Sequence, residues 1–201
     1  MSNGNRKHQA IFQAALKPFS SVGFSQASMD LVAKEAQVSK ATLYKYFSGK
    51  EEILKTMLLR FLEGQVVRTL PLPTQKAEFE SYLVTYGEKK IELLTQDENL
   101  MFGRVFYAEL IQSKKLAEEI QSEYGEILQE GLHRVLKHGV ALSALKEHDS
   151  YFAVDLFYGV IKGLIFWPVM FHVLSKEQIQ ARKTAAAKAA TQALLEFCGN
   201  P

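Results

Sequence analysis

The sequence predicts an all-α protein, a three-helix helix-turn-helix unit followed by a larger helical body. Three observations predict it. Apolar residues recur at the helical period in segment after segment, strand-like alternation is absent, and proline and glycine punctuate the 201 residues sparsely. Apolar residues make up 47% and charged residues 23%, the balance of a globular chain rather than a disordered one. This length suffices for an ordinary domain plus a small satellite.

The first helix is expected at about 6–20, where Ile11, Phe12, Ala15, Leu16 and Phe19 keep the helical spacing. Pro18 falls late in it, removes the bond to the Ala14 carbonyl, and should bend or tighten the last turn. Ser21-Val22-Gly23-Phe24 ends the pattern. A short second helix starts near Ser28, whose hydroxyl can cap it while Asp30 favours its positive end. Leu31, Val32 and Ala36 are its expected inner face. Gln37-Val38-Ser39 forms a tight turn, and Ser39 caps a third helix from Lys40 to Phe47. Ser48 has capping-box spacing to Glu51 and opens a fourth helix reaching about Arg68. Pro71-Leu72-Pro73-Thr74 is the clearest linker. Further helices are expected at about 76–95, 99–112, 114–138, 150–173 and 176–197, with a loop from Gly139 to Asp149. The chain therefore divides into a head, residues 1–48, and a body, residues 49–201, with helix 49–68 linking the two.

Two short helices joined by a three-residue turn, behind a longer helix, make a helix-turn-helix. Its third helix must be short, held from behind and polar in front, so that its N-terminal end can enter the major groove. Leu43 and Phe47, four apart, supply the holding face, and Lys40, Ala41, Tyr44 and Lys45 project from the opposite side. A lysine can donate to guanine O6 and N7, and an alanine methyl can meet the thymine methyl. The hydroxyls of Thr42, Tyr44 and Tyr46 suit phosphate oxygens. Lys50, at the start of the next helix, can grip a phosphate together with the helix amides. The plain alternative is a solvated lysine face with two surface tyrosines. Charge distribution favours the polyanion reading. Residues 1–50 hold seven Lys/Arg against Asp30 and Glu35, a net of +5, which leaves −3 of the overall +2 for the rest.

The stretch Gly23-Phe24, Ser28-Met29, Val32-Ala33-Lys34-Glu35-Ala36, Val38-Ser39-Lys40-Ala41-Thr42-Leu43-Tyr44-Lys45-Tyr46-Phe47, Lys50-Glu51 and Ile53-Leu54 closely resembles the N-terminal domain of TetR/AcrR-type regulators. The resemblance covers about a quarter of the chain. It departs at Gln37, where the family usually has glycine in the turn, and Pro18 is a second oddity. By this resemblance Lys40, Ala41 and Lys45 face bases, while Ser28, Thr42, Tyr44, Tyr46 and Lys50 contact phosphates, with Ser39 on the same surface. The resemblance further implies a two-fold homodimer on a palindromic double-stranded operator, usually a cytoplasmic repressor released by a small-molecule effector.

The body carries no equally sharp motif. Phe106-Tyr107-Ala108-Glu109-Leu110 with Lys114-Lys115-Leu116 resembles the AefR-like branch of the family. Aromatic residues are dense, and a hydrophobic cavity with a few polar anchors is how small ligands are usually held. The candidate effector residues are Tyr86, Phe102, Phe106, Glu109, Tyr124, Phe166 and Trp167, with Arg104 as a further anchor; plain core is the alternative reading. Gly159 and Gly163, four apart, allow close helix approach, and Ala186, Ala190 and Leu194 lie at helical spacing on the final helix. These five are the candidate dimer seam, with packing inside one chain as the alternative.

Other classes fit less well. Glu130 and His133 match half of a di-iron motif whose second half the chain lacks, and His133 and His138, five apart, fall off one helical face. No phosphate-binding loop or nucleophile elbow is present, so no enzyme chemistry, metal or cofactor is expected. A single cysteine, Cys198, fits a reducing compartment, and no signal peptide is expected. The apolar stretch Tyr151–Leu174 carries Asp155, Lys162, Pro168 and His172, which reads as a buried helix rather than a membrane span.

Overall fold

The computed structural model describes residues 3–65 and 70–200, and the side chains of those residues apart from 3–9, 60, 62–65 and 125–129. Arg6 and Lys7, counted in the basic head, and the expected end of the fourth helix near Arg68 lie outside these. The described residues form ten α-helices: α1 (Asn3–Val22), α2 (Met29–Glu35), α3 (Lys40–Tyr46), α4 (Lys50–Gln65), α5 (Phe79–Leu94), α6 (Asp97–Gln112), α7 (Lys114–Ala141), α8 (Ser150–Ile161), α9 (Trp167–Met170) and α10 (Lys176–Cys198). They fall into two units. One holds residues 1–62 and 97–123, the other residues 63–96 and 124–201.

In the first unit α1 continues past Pro18, whose side chain is buried, and ends four residues later. Ile11, Ala15, Leu16 and Phe19 of α1 are buried, as are Val32, Leu43, Phe47, Ile53 and Met57 of the following elements, and α1 packs on α2. The inner face of α2 differs from expectation. Met29, Val32 and Ala33 are buried, whereas Leu31 faces outward and Ala36 is half-buried. The cap at Ser28 is where the sequence placed it, so the difference lies in which stripe of this seven-residue helix packs on α1 and α3. The cap of α4 is also corrected. Ser48 donates its amide and hydroxyl to the Glu52 carboxylate, at 2.6 and 2.7 Å, and Glu51 takes no part in that pair.

In the second unit α10 packs along α5 and α8. Gly87 permits the approach, since a Cβ there would come within 3.0 Å of the Ala187 Cβ. α8 does not run unbroken to α9. Residues Lys162–Phe166 form a π-turn, one extra residue inserted in the helical ladder. By length and composition Ser150–Met170 is apolar enough to cross a membrane. Here Ala153, Val154, Phe157 and Ile161 pack inward, while Phe152, Gly159 and Gly163 remain on the outer face. The end of α10 is tied down. The amides of Lys146 and Asn200 donate to the carbonyls of Cys198 and Ala144, at 2.8 and 3.0 Å. Cys198 is buried, and burial pushes its thiol up to about 11.

Candidate nucleic-acid interface and helical body

The reading surface is built from two capped short helices. Ser28 Oγ accepts from the Leu31 amide at 3.3 Å, and Ser39 Oγ accepts from the Thr42 amide at 3.1 Å. The Ser39 and Thr42 hydroxyls also bond each other at 2.9 Å. These three hydroxyls thus define where each helix begins. Between the caps Gln37 adopts φ 54°, the left-handed conformation that the turn demands and glycine would adopt without strain. A side chain in that region costs about 1–2 kcal/mol, and glycine returns part of it as unfolded-chain entropy. Gln37→Gly is expected to stabilise the head by about 0.5 kcal/mol, read as a higher urea midpoint. A lower midpoint would show that the Gln37 side chain makes a compensating contact.

α3 presents two faces. Leu43 and Phe47 are buried, and Lys40, Ala41, Tyr44 and Lys45 are exposed, Tyr44 by 53%. Thr42 and Tyr46 are half-buried at the edge. The outward lysines and tyrosine therefore share one side of a seven-residue helix whose other side is anchored. Lys40 Nζ lies 2.6 Å from Asp30 on α2, an ion pair open to solvent on both sides. Lys17 and Glu35 make a second such pair at 2.7 Å.

Lys50 is placed differently from the sequence expectation. Its ammonium donates to the carbonyls of Phe24, Ser25 and Ala27, at 2.8, 2.8 and 3.2 Å, and lies 4.8 Å from the Phe24 ring centre. A lysine has three protons to donate, and here all three go to the loop between α1 and α2. Nothing in the local sequence signals this, because the acceptors are backbone atoms 23 to 26 residues away.

The effector candidates are split between the units. Phe102, Phe106 and Glu109 belong with the head. There Arg104 and Glu109 line a cleft of about 580 Å³ with Phe19, Phe24, Met101 and Val105. Tyr86, Tyr124, Phe166 and Trp167 belong to the other unit. Tyr86 is wholly buried, its hydroxyl 2.9 Å from that of Tyr158, and Phe166 is buried against Trp167 with ring centres 5.0 Å apart. Tyr124 is half-buried. The sequence reading missed Lys90 on α5, which is buried although charged. His133, considered for metal, bonds Ser150 Oγ through Nδ1 at 2.6 Å.

The seam candidates separate too. Gly159 and Gly163 are exposed, and a Cβ on either would meet nothing within 4 Å. Ala186, Ala190 and Leu194 are corrected, being buried in the chain's own interior where α10 packs on α5 and α8. The exposed residues of α10 include Ala185, Ala189 and Phe197, the last with its ring 5.0 Å from Phe152 of α8, alongside the polar Arg182, Lys188 and Gln192.

Residues 11–57 match the family described as bacterial regulatory proteins, tetR family, and residues 81–197 match the AefR-like transcriptional repressor C-terminal domain. A fatty acid metabolism regulator protein of Bacillus subtilis is 28% identical over 174 residues, 85% of this chain and 87% of that one. Among solved structures, a TetR family transcriptional regulator from Pseudomonas syringae is 26% identical, with TM-score 0.75 and full coverage of both chains. The Flavonoid-responsive Regulator FrrA is also 26% identical, with TM-score 0.73 over 97% of this chain and 98% of its own.

Proposed function

The chain belongs to the TetR family of DNA-binding transcriptional regulators, and from that premise we propose a cytoplasmic repressor released from a palindromic operator by a small, largely hydrophobic ligand. The observation that carries the reading is α3, with Lys40, Ala41, Tyr44 and Lys45 outward and Leu43 and Phe47 holding it from behind. Lys45 and Lys40 read base edges, and Tyr44, Tyr46 and Thr42 set the register on phosphates. The Lys40–Asp30 pair is exposed and therefore cheap to exchange for a partner on DNA. Two relatives, a fatty acid metabolism regulator and a flavonoid-responsive regulator, support a hydrophobic effector.

Two chains meet through the outer faces of α8 and α10, where Phe152, Gly159, Ala185, Ala189 and Phe197 form an apolar strip of mostly small residues. A monomer at micromolar concentration in sedimentation equilibrium would remove this seam. The dimer sets the spacing of two reading heads, and ligand shifts the population away from the spacing that fits successive major grooves.

The test is retardation of the gene's own upstream DNA across a salt series. Affinity is expected to fall steeply as salt rises. Lys45→Ala should cost about 1–3 kcal/mol on that DNA and much less on random sequence. Equal losses on both would refute base reading by Lys45, and absence of any salt-sensitive retardation would refute the operator reading itself.

A further inference from the structure

Both acidic residues among positions 1–50 lie on α2, Asp30 in its first turn and Glu35 at its end. Each takes a lysine from a neighbouring helix. Glu35 lies 2.7 Å from the ammonium of Lys17 on α1, and Asp30 lies 2.6 Å from that of Lys40, the first residue of α3. The two pairs differ in setting. Lys40 stands at the N-terminal end of α3, the end that a helix-turn-helix turns into the major groove. Asp30 follows the capping Ser28 by two residues, and its side chain is 60% exposed, that of Lys40 61%. An open carboxylate therefore sits where the head must meet a polyanion, and it repels DNA in any complex.

The geometry gives that acid a use. An ammonium has three protons to donate. With one given to Asp30, two remain, enough for O6 and N7 of a guanine. Lys40 can therefore meet a base edge while Asp30 keeps its partner. A phosphate is a different destination. It draws the ammonium out to the backbone, and the Asp30 carboxylate is then left uncompensated beside a dense row of negative charge. The pair is solvated and weak in the free protein, so Lys40 is not locked in place. What Asp30 changes is the relative cost of the two destinations, which is a penalty placed on the wrong partner.

We propose that Asp30 is a positioning residue for sequence discrimination: it keeps the Lys40 ammonium available to base edges and withholds it from phosphates. This rests on the base-reading role of Lys40 given above and adds the residue that enforces it.

Fluorescence anisotropy of the full-length protein tests it, with the upstream DNA and with a random duplex of equal length, across a salt series. Asp30→Asn is expected to bind random DNA about fivefold tighter and upstream DNA about twofold weaker, so discrimination falls roughly tenfold. The salt slope should steepen by about one on random DNA and stay unchanged on upstream DNA. A merely structural loss would weaken both duplexes together and tighten neither. Glu35→Gln makes the same change of charge on the same helix and should leave discrimination at the wild-type level. In a Lys40→Ala background Asp30→Asn should no longer alter discrimination, because the two side chains act as a unit. Unchanged discrimination in Asp30→Asn, an equal fall in Glu35→Gln, or a fall that persists without Lys40 each overturns the proposal. Equal binding of both duplexes by the wild type would refute the operator reading, and equal losses on both in Lys40→Ala would refute base reading by Lys40; either result also removes the role assigned to Asp30.

Discussion

Phe47→Ala is expected to remove about 3–5 kcal/mol from the head, the usual cost of truncating a buried phenylalanine. Phe47 is buried beside Leu43, and these two side chains fix α3 from behind. Truncation leaves a cavity under a helix of seven residues, too short to persist on its own hydrogen bonds. A loss of that size is a large fraction of ordinary domain stability. DNA retardation should vanish although no outward residue has changed. Urea denaturation followed by circular dichroism measures the loss. Stability within about 1 kcal/mol of the wild type would show that the ring contributes little to the core.

Lys50→Ala is the second large effect. The side chain holds three carbonyls of the loop between α1 and α2, and a bond to a charged group contributes about 1.5–3 kcal/mol net, less per bond where one ammonium is shared among three acceptors. The partly exposed carbonyls will recover some of this through solvent, so a net loss of about 2–3 kcal/mol in head stability is expected. DNA affinity should fall with it, on all sequences alike. A phosphate contact would behave otherwise, lowering the salt slope by about one with the urea midpoint unchanged. That outcome would return Lys50 to the role expected from its sequence position.

Helix positions were legible in the sequence because local spacing creates them. Periodicity located all the long helices, and Ser28, Ser39 and Ser48 marked the starts of three short or middle ones. The two-sidedness of α3 was legible for the same reason, since Leu43 and Phe47 stand four apart. What failed to show depends on distant partners. α10 carries alanines on two faces, so spacing could not decide whether Ala186 or Ala185 would turn inward; packing on α5 and α8 decided it. Lys50 and Lys90 look like any surface lysine until the fold brings carbonyls to one and tyrosine rings to the other. The π-turn does have a local correlate that periodicity alone does not reveal: Gly163 lies within Lys162–Phe166, and Pro168 just beyond it has no amide to offer the Leu164 carbonyl. Gln37 was legible as an anomaly, and its left-handed backbone is the price of a turn whose geometry the fold imposes.

The tie between the end of α10 and the loop before α8 bears on how the body comes apart. Chain ends ordinarily fray first and offer the lowest-energy route to opening. Here Cys198 and Asn200 are bonded to Lys146 and Ala144, and the same residues close over a buried thiol. Peeling the last turn would break both bonds and wet the sulfur in one step. The end of α10 therefore behaves as part of a cooperative block, and spontaneous opening of the body must begin at another point along the chain.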